Sequence, residues 1–242
     1  MNEALPHSLP LSISTHSENE ALPHSLPLSI STHSERVYRA LLTSIIRGDL
    51  VPGSKIIEQE IARIHGTSRG PLREAINRLE GQKLVVRVPH VGARVASLST
   101  AQLVELYQIR ACLEGLACRL AATKITTHKI SELFHLLEKH EKNLMANESC
   151  MTYDEDYDFH YRIILASENK TLLQLLGVEL YQLIRMYRQK CLMASQQRHV
   201  AFKEHHQIIE ALEKKDGELA ELLMKRHIEA AQTKLLGYFS SL

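Results

Sequence analysis

The sequence predicts a mostly α-helical protein in two parts: a small unit of three helices and a β-hairpin, followed by an antiparallel all-helical bundle. Two observations predict this fold class. Within residues 36–97, apolar residues recur at helical spacing in three short segments and then give way to a β-branched run and a second short run. Residues 98–242 contain no proline and repeat an amphipathic helical pattern six times with short connections.

A tandem repeat precedes both parts. Residues 2–18 recur unchanged as residues 19–35, and both copies are rich in proline and serine. A segment of this composition cannot bury a core, so we expect residues 1–35 to be a disordered extension. The histidines at matching positions of the two copies permit metal binding, but a recent duplication is the simpler interpretation.

Positive charge is concentrated in one part of the chain. Residues 36–97 hold eleven Lys and Arg against five Asp and Glu, whereas residues 98–242 hold eighteen against nineteen. Such a local excess is typical of a nucleic-acid-binding module, although a solvated basic face is the alternative. No apolar run reaches the length of a membrane span, and the four cysteines lack metal-binding or disulfide spacing. We therefore expect a cytoplasmic protein with reduced thiols and no membrane partner.

The first part has the pattern of a winged helix-turn-helix. Its apolar positions are Val37, Leu41, Ile45 and Ile46 in the first helix, Ile57, Ile61 and Ile64 in the second, and Leu72, Ala75, Ile76 and Leu79 in the third. Pro71 suits the first turn of the third helix, where a missing N–H costs nothing. The runs 84–88 and 93–95 around a Pro-His-Val-Gly turn predict the hairpin, or wing.

In this motif the third helix enters the major groove of DNA and reads bases near its N-terminus. Arg69 and Arg73 lie four residues apart there, and arginine forks onto guanine O6 and N7. Thr67, Ser68 and the helix N-terminus suit phosphate. The other candidates are Lys55 and Arg63 for the DNA backbone, and the wing tip from His90 to Gly92 for an adjacent minor groove.

Three of the six bundle helices carry polar residues within their apolar stripes. These residues are Asp156 and His160 on the third bundle helix, His205 on the fifth and His227 on the sixth. A buried polar group without a partner costs about 2–7 kcal/mol, and one shared divalent cation would satisfy all four. The alternative is four separate core residues, each with its own hydrogen bonds. Three imidazoles and a carboxylate favour zinc or nickel, with open positions for a carboxylate metabolite.

The stretch IIRGDLVPGSKIIEQEIARIHGTSRGPLREAINRLEGQKLVVRVPHVGARV resembles the DNA-binding domain of the GntR superfamily of bacterial regulators. Its PG, its SRGPLREA and the GA of the wing carry the resemblance, which covers residues 36–97. Two positions depart from the family pattern. Gly70 replaces the usual Thr, which would remove a phosphate contact. Lys83 replaces the Gly that usually ends the recognition helix, so we expect the turn into the wing to differ.

The segments ELYQIRACLEGLACRLAA, DYDFHYRIILASENKTLL and EHHQIIEALEKKDGELAELLMKRH resemble the FCD effector domain of FadR-type regulators, over residues 103–230. Six helices rather than seven resemble the VanR-like subgroup. The resemblance implies Arg110 as a contact for an effector carboxylate, with a pair to Glu114 one turn later as an equal alternative. It also implies a ligand set for a divalent ion, namely Asp156, His160, His205 and His227.

These observations favour a homodimeric, ligand-responsive transcription regulator, expected to repress a catabolic operon. Its partners would be double-stranded operator DNA, a small carboxylate and a second copy of the chain, because dimers match the two-fold symmetry of operators. One alternative is a metal-dependent enzyme whose Asp/His₃ ion activates water. No general base accompanies the ligands, so we expect no catalytic residue. A second alternative is a pure metal sensor.

Overall fold

The computed structural model of the chain describes residues 32–145, 152–194 and 198–240. Side chains are described within those ranges except at 140, 143–145, 152–158, 178, 188–194 and 198–200. The tandem repeat lies outside the described residues except for positions 32–35, and so do the disorder and the metal binding considered for it.

Three helices form the first part: α1 (His33–Arg47), α2 (Glu58–Ile64) and α3 (Arg69–Gly81). Helix α1 packs against α3, and the predicted apolar positions of both helices are buried. In α2 only Ile61 is buried, whereas Ile57 and Ile64 are exposed. The expected apolar stripe of α2 was therefore wrong at both ends, because Ile57 is an extended residue before the helix and Ile64 ends it.

Helix α1 begins at His33, three residues before the start of the first part that the sequence indicated. Glu35 accounts for part of this extension. Its carboxylate accepts hydrogen bonds from Arg39, one turn further along α1, and from Arg78 of α3. An acidic residue in the first turn also interacts favourably with the helix dipole.

The wing is a two-stranded antiparallel sheet of β1 (Val85–Val88) and β2 (Gly92–Val95). Val85 faces Val95 across the pair, and both side chains are buried against the helices. Three helices followed by this hairpin confirm the predicted winged helix-turn-helix.

The second part is a bundle of helices with short connections. The helices are α4 (Thr100–Lys124), α5 (Thr127–Met145), α6 (Thr152–Ala166), α7 (Lys170–Leu172), α8 (Tyr181–Ala194), α9 (Arg198–Glu213) and α10 (Gly217–Ser240). Ser99 caps α4 in a capping box with Gln102, and Asn169 caps α7. The helical bundle predicted from the sequence is confirmed.

The fourth of the six predicted bundle helices is interrupted, so the described residues of the bundle contain seven α-helices. Helix α7 continues as a π-helical stretch, Leu173–Glu179, before α8 begins. Within this stretch Gly177 lies against Tyr161 of α6, and a Cβ at Gly177 would lie 3.0 Å from the tyrosine ring. Such a close approach depends on two helices meeting, so an amphipathic pattern in one segment does not encode it.

Two of the four cysteines have described side chains. Cys118 is buried in α4 as expected of a core thiol, whereas Cys112 is exposed on the same helix. Within the described ranges, no helix combines the length and the apolar character needed to cross a membrane.

Candidate metal centre and nucleic-acid interface

Three buried histidines from three helices converge in the bundle. His160 lies on α6, His205 on α9 and His227 on α10, and each is at most 3% exposed. One ring nitrogen from each lies within 4.8 Å of the other two. The backbone of Asp156 belongs to α6, one turn before His160, but its side chain is outside those that the structure describes. The structure therefore brings together the three predicted imidazoles, which can hold a metal ion.

The spacing of the imidazoles suits a common cation. The Nε2 atoms of His205 and His227 are 3.1 Å apart. Two nitrogens bound to one ion at about 2.0–2.1 Å lie roughly 2.8–3.4 Å apart for ligand angles of about 90–109°. The ring of Phe159 stacks on His205 with centroids 4.0 Å apart, which fixes the plane of that imidazole.

Two carboxylates orient two of the imidazoles. Oε2 of Glu114 in α4 lies 2.5 Å from Nδ1 of His160, and Oε2 of Glu204 in α9 lies 2.7 Å from Nδ1 of His227. A carboxylate on the far nitrogen of a metal-binding imidazole is the usual arrangement in metal sites. From the sequence, Glu114 was expected only as a partner of Arg110, and Glu204 was missed although it directly precedes a predicted ligand.

The electrostatics of the buried cluster favour an ionised Glu114 beside a neutral His160. Burial alone would raise the pKa of Glu114, but Arg110 and His160 outweigh burial and hold the pKa of this carboxyl far below its usual range. Burial lowers the pKa of His160, and the opposing attraction of Glu114 does not compensate fully. His160 is therefore neutral near pH 7, and neutral imidazole is the form that binds metals.

The surroundings of the second ring nitrogen of His160 test whether a metal ion fits this cluster. His160 Nε2 is buried and has no hydrogen-bond partner among the described side chains and backbone. A buried polar atom left without a partner costs about 1–3 kcal/mol. Because this atom belongs to the histidine cluster, a cation shared with His205 and His227 would remove that cost. The residues present fit a divalent ion.

Arg110 is fully buried in α4, and its Nε donates to Oε1 of Glu114 at 2.5 Å. The pair that the sequence offered as one alternative is thus present. It links Arg110 through Glu114 to His160, so the charge of Arg110 belongs to the same buried network.

The N-terminal end of α3 presents the predicted base-reading residues. Arg69 and Arg73 are exposed, and Arg73 lies 3.9 Å from the carboxylate of Glu58, a weak surface pair. Ser68 precedes the helix, is exposed and makes no capping hydrogen bond. Thr67 is half-buried, and its hydroxyl oxygen is enclosed. Ser68 is therefore better placed than Thr67 to bind a phosphate.

The other predicted DNA contacts lie on the surface. Exposed side chains or backbone are found at Lys55, Arg63, His90 and Gly92. At the wing tip the amide of Val91 donates to the carbonyl of Val88, with Pro89 and His90 in the centre of the turn. His90 has φ +62°, as the third position of a type II turn requires. This conformation fixes where the His90 ring leaves the wing.

The turn from α3 into the wing keeps the geometry of a helix that ends in glycine, although the residue is Lys83. Lys83 has φ +60°. Its amide donates to Glu80, and the amide of Leu84 donates to Leu79, the two bonds of a Schellman motif. The expectation that Lys83 would change this turn was wrong, because the two backbone bonds and the buried Leu84 hold a lysine in the left-handed region.

The winged helix-turn-helix of α1 to β2, which we call the reading head, and the helical bundle together define a class of protein: a DNA-binding transcription regulator with an effector domain. The chain matches the model "Bacterial regulatory proteins, gntR family" over residues 33–95 and the model "FCD domain" over residues 105–230. It belongs to the gntR family of bacterial regulators, in the FadR-type branch that carries an FCD domain.

Curated relatives support the same assignment. The chain is 33% identical to a probable D-xylose utilization operon transcriptional repressor of Paenarthrobacter nicotinovorans, over 78% of this chain and 83% of that protein. It is 27% identical to the HTH-type transcriptional repressor GlaR of Escherichia coli, over 79% of this chain and 90% of that protein. These families and relatives are regulators, so the chain is a regulator and not an enzyme.

Solved structures agree with the fold. Escherichia coli McbR/YncC superposes with a TM-score of 0.72 at 23% identity, covering 86% of this chain and 99% of that one. A putative GntR regulator from Rhodococcus gives a TM-score of 0.69 at 22% identity, covering 84% and 97%.

Proposed function

We propose that this chain is a homodimeric repressor of a catabolic operon that senses a small carboxylic acid at a divalent-ion site in its bundle. Residues 36–97 would bind operator DNA, and residues 98–242 would bind the effector, in the cytoplasm where the DNA is found. The observation that carries the proposal is the convergence of the buried His160, His205 and His227 on one point.

The ligand set of the proposed site is the three imidazoles together with Asp156, one turn before His160 on α6. Imidazole nitrogen suits zinc and nickel, which are the ions we propose. The bound ion would supply a positive charge with open positions for a carboxylate. Arg110 would hold a second carboxylate of the effector, because its guanidinium is buried and belongs to the same network.

Operator recognition is proposed for the exposed arginines of α3, Arg69 and Arg73, with Ser68 on a phosphate and the wing tip at His90 in the minor groove. The basic balance of residues 36–97 supports this role. An effector can change DNA binding only if it binds one orientation of the two DNA-binding domains more tightly than the other. Helix α8 packs against α1, which provides contact between bundle and head. Repression of a catabolic operon is supported by the relative named as a repressor of D-xylose utilization.

The sensing half of the proposal is tested with the full chain, loaded with Zn²⁺ or Ni²⁺ or stripped by a chelator. Elemental analysis should find about one ion per chain, and a thermal-shift panel of small dicarboxylic acids should stabilise only the loaded protein. His227→Ala should lose both responses, while the exposed His206→Ala should keep them. A wild-type protein that binds neither ion would contradict the proposal.

The regulatory half is tested by fluorescence anisotropy on DNA from the chain's own upstream region. Arg73→Ala should weaken specific binding by at least tenfold, and Arg119→Ala, on the bundle surface, should not. The stabilising acid should weaken operator binding of the loaded protein. If the ion alone produces the whole change and no acid adds to it, the chain is a metal sensor instead. Sedimentation should give a dimer on DNA.

A further inference from the structure

The Nδ1 atoms of two cluster histidines face carboxylates, and this controls where their protons lie. A carboxylate can only accept hydrogen bonds, so the imidazole nitrogen that faces it must carry the proton. Glu114 lies 2.5 Å from Nδ1 of His160, and Glu204 lies 2.7 Å from Nδ1 of His227. In its neutral form, which is the form that binds a cation, an imidazole has a single N–H, so both neutral histidines present a bare Nε2.

The third histidine must then have the opposite tautomer. The Nε2 atoms of His205 and His227 are 3.1 Å apart, which is a hydrogen-bond distance. Two bare nitrogens would repel at this distance, so one proton lies between them. With both imidazoles neutral and the proton of His227 held on Nδ1 by Glu204, the shared proton belongs to Nε2 of His205.

We propose that Glu114 and Glu204 are positioning residues that fix the tautomers of His160 and His227 before any ion binds, and that His205 is the member of the triad with a protonated Nε2. These tautomers are assigned to the metal-free protein. Only the statement that they prepare the site for an ion rests on the proposed function. Two nitrogens are thus held ready for a cation, and His205 is the histidine that has to change its tautomer to join them.

The carboxylates of Glu114 and Glu204 have different hydrogen-bond partners. Oε1 of Glu114 accepts from Nε of the buried Arg110, so this carboxylate is clamped between a donor on each side. Glu204 is a quarter exposed, and among the described contacts its carboxylate has only His227 as a partner. Substitution by glutamine should therefore have different effects at the two positions.

In Glu114→Gln, Arg110 requires the amide oxygen as its acceptor, so the amide NH₂ must face His160. An NH₂ group can only donate, which forces Nδ1 of His160 to be bare and moves its proton to Nε2. In Glu204→Gln the amide is able to turn its oxygen toward Nδ1 of His227, so the tautomer is retained. A matched control is Glu210→Gln, since Glu210 faces Nδ1 of His206 at 3.1 Å on the surface.

The test is a long-range ¹H–¹⁵N spectrum of the metal-free full chain labelled on histidine ring nitrogens. In the wild type, His160 and His227 should show a protonated Nδ1, and His205 a protonated Nε2. Glu114→Gln should invert His160, while Glu204→Gln and Glu210→Gln should leave the three tautomers unchanged. Zn²⁺ affinity, measured by competition with a chromophoric chelator, should fall about 10–100-fold in Glu114→Gln, less in Glu204→Gln and not in Glu210→Gln.

A protonated Nε2 on His160 or His227 in the wild type would overturn the inference, and this measurement needs no variant to fold. An unchanged His160 tautomer in a folded Glu114→Gln would also overturn it. If the wild-type tautomers are as stated but no Zn²⁺ or Ni²⁺ binds, the inference stands and the proposed function is contradicted instead.

Discussion

The hydroxyl oxygen of Tyr187 in α8 accepts a hydrogen bond from the backbone amide of Leu98, at 2.5 Å. Leu98 lies in the connection between β2 and α4, where the reading head joins the bundle. Tyr187 is buried, and burial raises the pKa of its phenol, so the hydroxyl remains protonated near pH 7. Helix α8 also packs against α1. One helix of the bundle thus holds both the connection and the head.

Tyr187→Phe should loosen this connection. The variant leaves the half-buried Leu98 amide without its acceptor, which should lower the free energy of unfolding by about 0.5–1.5 kcal/mol. Denaturant unfolding measures the loss. Hydrogen exchange should become faster at the Leu98 amide but not at Leu103, whose amide bonds to Ser99. Equal exchange at Leu98 in the variant and the wild type would show that the phenol does not hold the connection.

Lys83→Gly should stabilise the reading head. Lysine at φ +60° is in the left-handed region, which costs a residue with a Cβ roughly 1–2 kcal/mol, whereas glycine adopts it freely. After the larger entropy of glycine in the unfolded chain is subtracted, we expect a gain of about 0.5–1 kcal/mol. Lys83→Ala removes the same charge but retains the Cβ, so it should give no gain. A stabilising alanine would mean that charge, and not backbone conformation, is responsible.

Glu35→Gln should destabilise the protein in a way that depends on pH. Hydrogen bonds and charge from Arg78, with a smaller contribution from Arg39, lower the pKa of Glu35 in the folded state. Its contribution is therefore present above the unfolded-state pKa, near 4.5, and is lost as the pH falls through the folded-state value. Because both arginines are about half exposed, we expect a loss of only about 0.3–1 kcal/mol at pH 7.

Denaturant unfolding of wild type and Glu35→Gln at several pH values checks this prediction. The difference between the two proteins should shrink toward low pH, and it should also shrink in about 1 M salt, which screens surface pairs. A difference that is constant with pH would assign the effect to packing of the side chain.

Gly70→Thr should strengthen operator binding if the proposed function is correct. No atom lies within 4 Å of a Cβ built at Gly70, so the side chain fits at the exposed first turn of α3. Its hydroxyl would add a phosphate contact, and we expect an affinity gain of about two- to tenfold. Gly70→Ala is the matched control. It should raise helix stability by about 0.5–1 kcal/mol without the gain in affinity.

Much of the architecture follows from local patterns in the sequence. Apolar spacing placed α3 and the six bundle segments, because burial of one helical face leaves a 3.6-residue period that needs no knowledge of the partner. Helix caps are local in the same sense: Asn169 caps α7 with its own side chain, which is a contact between near neighbours. The three histidines were recognisable for a related reason, since each interrupts an apolar stripe.

Other features required the tertiary structure. Lys83 holds a turn usually assigned to glycine, because backbone bonds and a buried neighbour outweigh the strain at one residue. Gly177 allows Tyr161 to approach from another helix, and this contact accompanies a π-helical stretch in a segment with an ordinary helical pattern.

The sequence by itself determined the order of the helices, the position of the wing and the inward direction of His160, His205 and His227, because these depend on periodicity within single segments. Only the tertiary structure decided that the three imidazoles meet, and that Glu114 and Glu204 hold the far nitrogens of two of them. Hydrogen bonds between different helices depend on how the helices cross, and crossing geometry is set by packing of the whole bundle.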